Sequence, residues 1–236
     1  MVARKRHSFL VGKLKPIRPG ASQAEVLNEL RRVILAGEVP PGVPIPVGEV
    51  AEAFGVSPIP VRESLMTLIG EGLVDHRPRA GYTVAQLTLA ELREVYLVRR
   101  VLEAAALSAA VAAAGPVDDE RAAAALTALD RAVHDDDSTG YHRESRRFHM
   151  ALIAPAGMQR LRYVLESAWN VTEPCRPMAY IGVEQRSALH ADHHEMLAAF
   201  CARDGAALLD VSGRHHHRLE SSIADLPPET GLFATP

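Results

Sequence analysis

Apolar residues recur at helical spacing through most of this chain, and the breaks between the runs mark out its elements. Val26, Leu27, Leu30, Val33 and Ile34 form one stripe of a helix predicted over Ser22 to Leu35. Ser22 stands at the cap position and Glu25 follows three residues later, as in a capping box; Gly37 and Pro40-Pro41-Gly42 end the helix. A short second helix, Val47 to Phe54, turns Val50, Ala51 and Phe54 inward, and Gly55 permits a sharp turn. A third helix from Ser57 to Glu71 buries Val61, Leu65 and Leu68, with Ser57 placed to cap it. Gly72-Leu73-Val74 begins an extended segment, Arg77-Pro78-Arg79-Ala80-Gly81 makes a basic turn, and Tyr82-Thr83-Val84 returns as a second strand. Three helices and a two-stranded hairpin make a winged helix-turn-helix.

From Leu87 onward the strand signals disappear. Helices are predicted over 88–114, 118–134, 141–154, 158–171, 183–203 and 204–224, and such a series joined by short breaks implies an antiparallel bundle. The expected fold class is therefore mainly α: an N-terminal winged helix-turn-helix followed by a C-terminal antiparallel all-α helical bundle. The expected division is a basic flexible tail (1–21), the winged domain (22–84), an all-helical domain (85–226) and a disordered tail (227–236).

Composition adds limits rather than identity. A length of 236 residues accommodates two modest cores, and 47% hydrophobic with 23% charged residues is ordinary for a soluble globular protein. Cys175 and Cys201 form no C-x-x-C pair and read as reduced thiols. No apolar run reaches the roughly 18 residues of a membrane span, and none follows the basic N-terminus as in a signal peptide, so the expected location is cytoplasmic, with no membrane partner. Charge is more telling once it is divided. Residues 1–84 carry 11 Lys or Arg against 8 Asp or Glu, a net of +3, whereas the remainder carries 15 against 21, a net of −6. Arg4, Lys5, Arg6, Lys13, Lys15 and Arg18 precede any acid. That asymmetry suits a DNA-contacting part joined to an acidic part with another task, although a basic tail alone reads equally as a solvated end.

Candidate chemistry falls in two places. The run G-V-S-P-I-P-V-R-E-S-L, Gly55 to Leu65, reads as the turn and second helix of the helix-turn-helix. Ser57, Ile59, Pro60 and Arg62 lie in its first turns, where side chains and the helix dipole meet phosphates and base edges, and Arg77, Arg79 and Gly81 form the wing. The competing reading pairs Arg62 with Glu63 or Glu49 on a solvated face. In the helical part, the stripe Leu92, Val95, Arg99, Leu102, Ala106 turns an arginine inward. Such a charge is either paired internally, with Glu103 one turn away, or meets a bound anion. His149 shares a face with Ser145 and Leu152, His193 with Leu189, Met196 and Phe200, and His215 with Leu208, Val211 and Leu219. One inward histidine is usually a satisfied core residue, but three from three helices more often hold a divalent ion, zinc or nickel foremost. His190, His194, His216 and His217 are read as solvated, able to bind metal only adventitiously.

The stretch P-G-V-P-I-P-V-G-E-V-A-E-A-F-G-V-S-P-I-P-V-R-E-S-L, with L-I-G-E-G-L-V and G-Y-T-V after it, resembles the DNA-binding domain of GntR-family bacterial transcription regulators. The helical remainder resembles the effector domain of their FCD branch, and the likeness runs over residues 22–224. It implies a homodimer on a near-palindromic double-stranded operator, a small organic acid as effector, and repression that the effector relieves. It implies that Arg99, in V-R-R-V-L-E, meets an effector carboxylate, and that F-H-M-A-L, A-D-H-H-E-M-L and G-R-H-H-H-R-L carry metal-binding positions. Three departures matter. Pro58 and Gly48 stand where family members often have Arg, which predicts a shallower salt dependence or greater reliance on the N-terminal tail. Ser145 stands where the family has a ligating Asp, so that it faces metal or effector with a weaker ligand. Two other readings stay open at this stage: a metal-dependent hydrolase carrying a DNA-binding domain, against which no H-E-x-x-H or G-x-S-x-G occurs, and a constitutive DNA-binding protein.

Overall fold

The structure, a computed structural model, describes residues 8–18, 20–225 and 233–234. Arg4, Lys5 and Arg6 of the predicted basic tail lie outside the described residues, as does the predicted tail 227–236 apart from 233–234. Two compact units emerge, one centred on the chain up to Thr88 together with Asn170–Cys175, and one on Leu89–Trp169 with Arg176–Pro227.

The first unit contains α1 (Gln23–Leu35), β1 (Pro44–Ile45), α2 (Val47–Phe54), α3 (Pro58–Gly70), β2 (Val74–Arg77) and β3 (Gly81–Val84). Ser22 and Glu25 form the expected capping box, with Ser22 N–H donating to Glu25 Oε2 at 2.8 Å. Val26, Leu30, Ile34, Val50, Phe54, Val61, Leu65 and Leu68 close one core between the helices. The turn between α2 and α3 is made by Gly55 at φ 62°, a left-handed conformation that glycine adopts without a Cβ penalty.

Three expectations are corrected here. The sheet has three strands in the order β1-β3-β2, all antiparallel, because Pro44–Ile45 pairs with Tyr82 and Thr83. Two residues between prolines are too short to reveal an alternating pattern. Residues 8–18 are not a free tail: Leu10 is fully buried, Val11, Leu14 and Ile17 pack beside it, and Glu49 and Glu29 accept the Ser8 and Lys15 N–H groups at 2.8 and 2.7 Å. Ser57 occupies the cap position of α3, but its side chain makes no capping bond. A cap oxygen accepts from the second or third helical N–H, and Pro60 at the third position has none.

The second unit comprises α4 (Leu89–Ala113), α5 (Pro116–His134), α6 (Ser138–Ile153), α7 (Gln159–Thr172), α8 (Val183–Cys201) and α9 (Gly205–Ala224), α7 contributing its residues up to Trp169. Helix α5 packs on α6 and α8, and α9 packs on α4 and α8. Two helices start earlier than predicted. Pro116 takes the first position of α5, where its missing N–H is harmless, and Asp137 caps α6 by accepting the Gly140 N–H at 2.9 Å. The α4 stripe is also corrected: Leu92, Tyr96, Arg99, Glu103 and Ala106 are buried, while Val95 and Leu102 are only half-buried. Among the described residues no helix is long and apolar enough to cross a membrane.

The two capping serines give a direct contrast. Ser22→Ala should lower unfolding free energy by about 1 kcal/mol in urea titration, whereas Ser57→Ala should leave it within a few tenths. Equal losses at the two positions would contradict the capping assignment.

Candidate functional site

The outer face of α3 is built from residues three to four apart: Ile59, Arg62, Glu63 and Met66, all exposed. Ser57 is exposed and Pro60 half-buried at the start of the helix. Arg77 and Arg79 are exposed on the β2–β3 turn, which is held by Arg79 at φ 69° and Gly81 at φ 87°. The arginines of this unit divide by partner. Arg18 pairs with Glu25, Arg31 with Glu71 and Arg32 with Glu29 and Glu38. Arg62, Arg77 and Arg79 make no ion pair among the described residues, and the pairings with Glu63 or Glu49 considered above do not form. An apolar pair, Ile59 and Met66, flanks the unpaired Arg62 on one helical face, with exposures of 65% and 60%. Such a face combines a guanidinium for phosphate or guanine with apolar groups that suit thymine methyls.

In the second unit, α6, α8 and α9 each turn one histidine to a common centre. His149, His193 and His215 are all buried, and one donor atom from each lies within 4.8 Å of the others. His149 Nε2 is 3.3 Å from His193 Nε2, and Ser145 Oγ is 3.5 Å from the same His193 atom. Two nitrogens on a tetrahedral zinc ion with bonds near 2.05 Å would stand roughly 3.3 Å apart, so this spacing fits a shared ion.

Partners behind the rings set which nitrogen faces inward. Glu103 Oε2 accepts from His149 Nδ1 at 2.9 Å, so that a neutral His149 would turn its Nε2 lone pair toward His193. The same oxygen accepts from His216 Nε2 at 3.1 Å, and Oε1 accepts from Trp169 Nε1 at 3.2 Å. Behind His215, Asp192 Oδ2 lies 3.6 Å from Nδ1 and also pairs with Arg218 and Arg214. Burial pushes Glu103 upward, but the adjoining His149 and His216 outweigh it and hold the carboxyl well below the usual range. Burial lowers His193 far below an ordinary imidazole, reinforced by His215 and His149, and lowers His215 to about 4. Both are thus neutral at physiological pH, the form that ligates a metal.

Arg99 is buried as expected, its guanidinium 3.4 Å from the Trp169 ring centre and 4.7 Å from that of Tyr96. Trp169 lies in turn against His149, with centroids 5.6 Å apart, so arginine and imidazoles are linked through one indole. His142 is pushed down to about 3 by burial and then by Arg176 and Arg99. A neutral imidazole beside two guanidiniums describes a cationic region that suits an anion.

The candidate ligands His149, His193, His215 and Ser145 therefore come together, and Arg99 stands near them through Trp169. Sequence reasoning missed Glu103 as the partner of His149, Asp192 behind His215, and the arginine Arg176. It also misread His216, which is 1% exposed rather than solvated. Glu103 was read on the inward face beside Arg99, but as that arginine's partner rather than that of His149.

Comparison with known proteins follows the same division. The profile described as bacterial regulatory proteins, gntR family, matches residues 22–84, and the FCD domain matches residues 94–218. The chain is 25% identical to the HTH-type transcriptional repressor RspR of Escherichia coli K12 over 92% of this chain and 94% of that protein. It is 26% identical to the HTH-type transcriptional regulator YdhC of Bacillus subtilis over 76% and 80% of the respective chains. A solved GntR transcriptional regulator from Rhodococcus sp. RHA1 superposes with a TM-score of 0.77 at 26% identity, covering 86% of this chain and 97% of that one. These relatives are regulators and not enzymes, which removes the hydrolase reading. A winged helix-turn-helix at 22–84 and an FCD domain at 94–218 make this chain a member of the GntR family of bacterial transcription regulators, in its FCD branch.

Proposed function

We propose that this regulator binds a near-palindromic DNA operator as a cytoplasmic homodimer and is switched by a small organic acid in its helical unit. The observation that carries the DNA part is the unpaired set Arg62, Arg77 and Arg79, in a unit whose other described arginines are all paired. Ser57, Ile59 and Pro60 begin the helix that enters the major groove, and Gly81 shapes the wing. The dimer is supported by Leu97, Val98 and Val101, exposed by 46%, 40% and 58% along α4, an apolar stripe that a second copy would cover.

The effector reading rests on Arg99 and the three histidines. His149, His193 and His215 would hold a divalent ion, zinc or nickel, with Ser145 or water in a further position. The ion would supply Lewis acidity toward a carboxylate. Arg99 would neutralise that carboxylate and, held against Trp169, present its guanidinium in a fixed orientation. A ligand switches the protein only if it favours one arrangement of the dimer over another. Release of DNA on ligand binding is the favoured direction, by likeness to RspR, which is named a repressor.

Duplexes selected from a random pool by the wild-type protein provide the test. Arg62→Ala should bind the selected duplex about 1–3 kcal/mol more weakly in fluorescence anisotropy while remaining dimeric. Unchanged affinity would remove Arg62 from the interface. Arg99→Ala should keep wild-type affinity for the duplex but lose the release that active members of a panel of mono- and dicarboxylic acids produce. Release retained in Arg99→Ala would rule out the guanidinium as the anchor.

A further inference from the structure

Helix α8 carries a second histidine pair that the central site does not use. His190 and His194 are four residues apart, so their rings rise from one side of the helix, with centroids 5.0 Å apart and planes at 81°. Both aim Nε2 at a single oxygen on the neighbouring helix: Oδ1 of Asp130 on α5 lies 2.8 Å from His190 and 2.9 Å from His194. All three donor atoms fall within 4.8 Å of one another. The His190 side chain is 13% exposed, whereas His194 and Asp130 are open to solvent at 54% and 42%.

A structural role explains this arrangement poorly. Exposed histidine–carboxylate contacts add little stability, and a carboxylate has a second oxygen that could take one ring in a less crowded geometry. The two nitrogen–oxygen separations, 2.8 and 2.9 Å, lie near the roughly 3.0 Å between neighbouring donors at right angles on one cation with bonds near 2.1 Å, as in tetragonal or octahedral sites. A histidine pair one turn apart is rigid on its helix, and the acid from α5 supplies a negative charge that a dication needs.

We propose that Asp130, His190 and His194 form a second divalent-metal site, distinct from the buried three-histidine centre, with its remaining positions open to water. The donor set of two imidazoles and one carboxylate suits zinc, nickel or copper(II) rather than magnesium or calcium. In the metal-free state each Nε2–H donates to Asp130. Metal entry moves each ring proton to Nδ1 and turns the Nε2 lone pair to the cation, so neutral rings need release no proton. Bound metal would clamp α5 to α8, the helix that also carries His193. The site thus offers a fast-exchanging, solvent-facing contact with the metal pool on the same helix as a buried one.

Zinc and nickel titration of the untagged full-length protein against a chromogenic chelator tests this by counting equivalents bound at micromolar affinity. His194→Ala and Asp130→Ala alter exposed side chains, and each should bind one equivalent fewer than wild type. His193→Ala reports separately on the central centre and should retain the equivalent that His194→Ala loses. Equal equivalents in wild type, His194→Ala and Asp130→Ala would overturn the proposal, whatever His193→Ala shows. So would an outer equivalent seen only at millimolar metal.

Discussion

A carboxylate buried inside a helical bundle has to find donors, and the chemistry of the helical unit follows from how Glu103 does so. Its two oxygens take the Nδ1–H of His149, the Nε2–H of His216 and the Nε1–H of Trp169. Removing one partner of such a buried charged network typically costs about 3–5 kcal/mol, so the geometry is strongly held. One consequence is the orientation of His149: with Nδ1 committed to Glu103, Nε2 is the ring atom that faces His193. Another is the place of Trp169, whose ring carries the Arg99 guanidinium on one side of the network. A single acid therefore positions both His149 and, through Trp169, the Arg99 guanidinium.

The DNA-binding unit follows a complementary economy of charge. Its acids neutralise the arginines that hold α1 to its surroundings, as in the Arg31–Glu71 contact of 2.9 Å, and leave those of α3 and the wing alone. An unpaired arginine on an exposed face keeps its full attraction for phosphate, since no intramolecular partner has to be displaced. The net charge of the whole chain, −3, conceals this because the acidic excess lies in the helical part. Pro58 and Gly48 add no charge to this face, so Arg62 and the two wing arginines are the unpaired cations it presents among the described residues.

Much of this architecture was legible in the sequence because the signals were local. The Ser22–Glu25 box, the Gly55 turn and the stripes Val61-Leu65-Leu68 and Leu189-His193-Met196 each need only one helix to be read, and each is present. Most of the failures are non-local, the Ser57 cap being the local exception. Strand β1 exists only through its pairing with β3, and Leu10 is ordered only because the core has room for it. Ser57 looked like a cap until the proline at the third helical position removed its donor. On α4 a single stripe could not show whether Leu102 or Glu103 faced inward, since both lie within the arc that two neighbouring helices cover. His216 was lost for the same reason: it follows His215 by one residue, about 100° around the helix, and a wide buried face accommodates both. The three converging histidines, by contrast, were visible as one per helix on three apolar stripes.

The claim at the centre of this account is that those three imidazoles share a metal ion despite Ser145 in the position of an acid. Elemental analysis of untagged wild-type protein beside Ser145→Asp and His193→Ala measures it most directly. A shared ion predicts metal in the wild type, tighter retention against a chelator in Ser145→Asp, and loss of one equivalent in His193→Ala. Identical metal content and identical chelator resistance in all three proteins would contradict it, and would leave Arg99 as the sole anchor of a metal-free pocket.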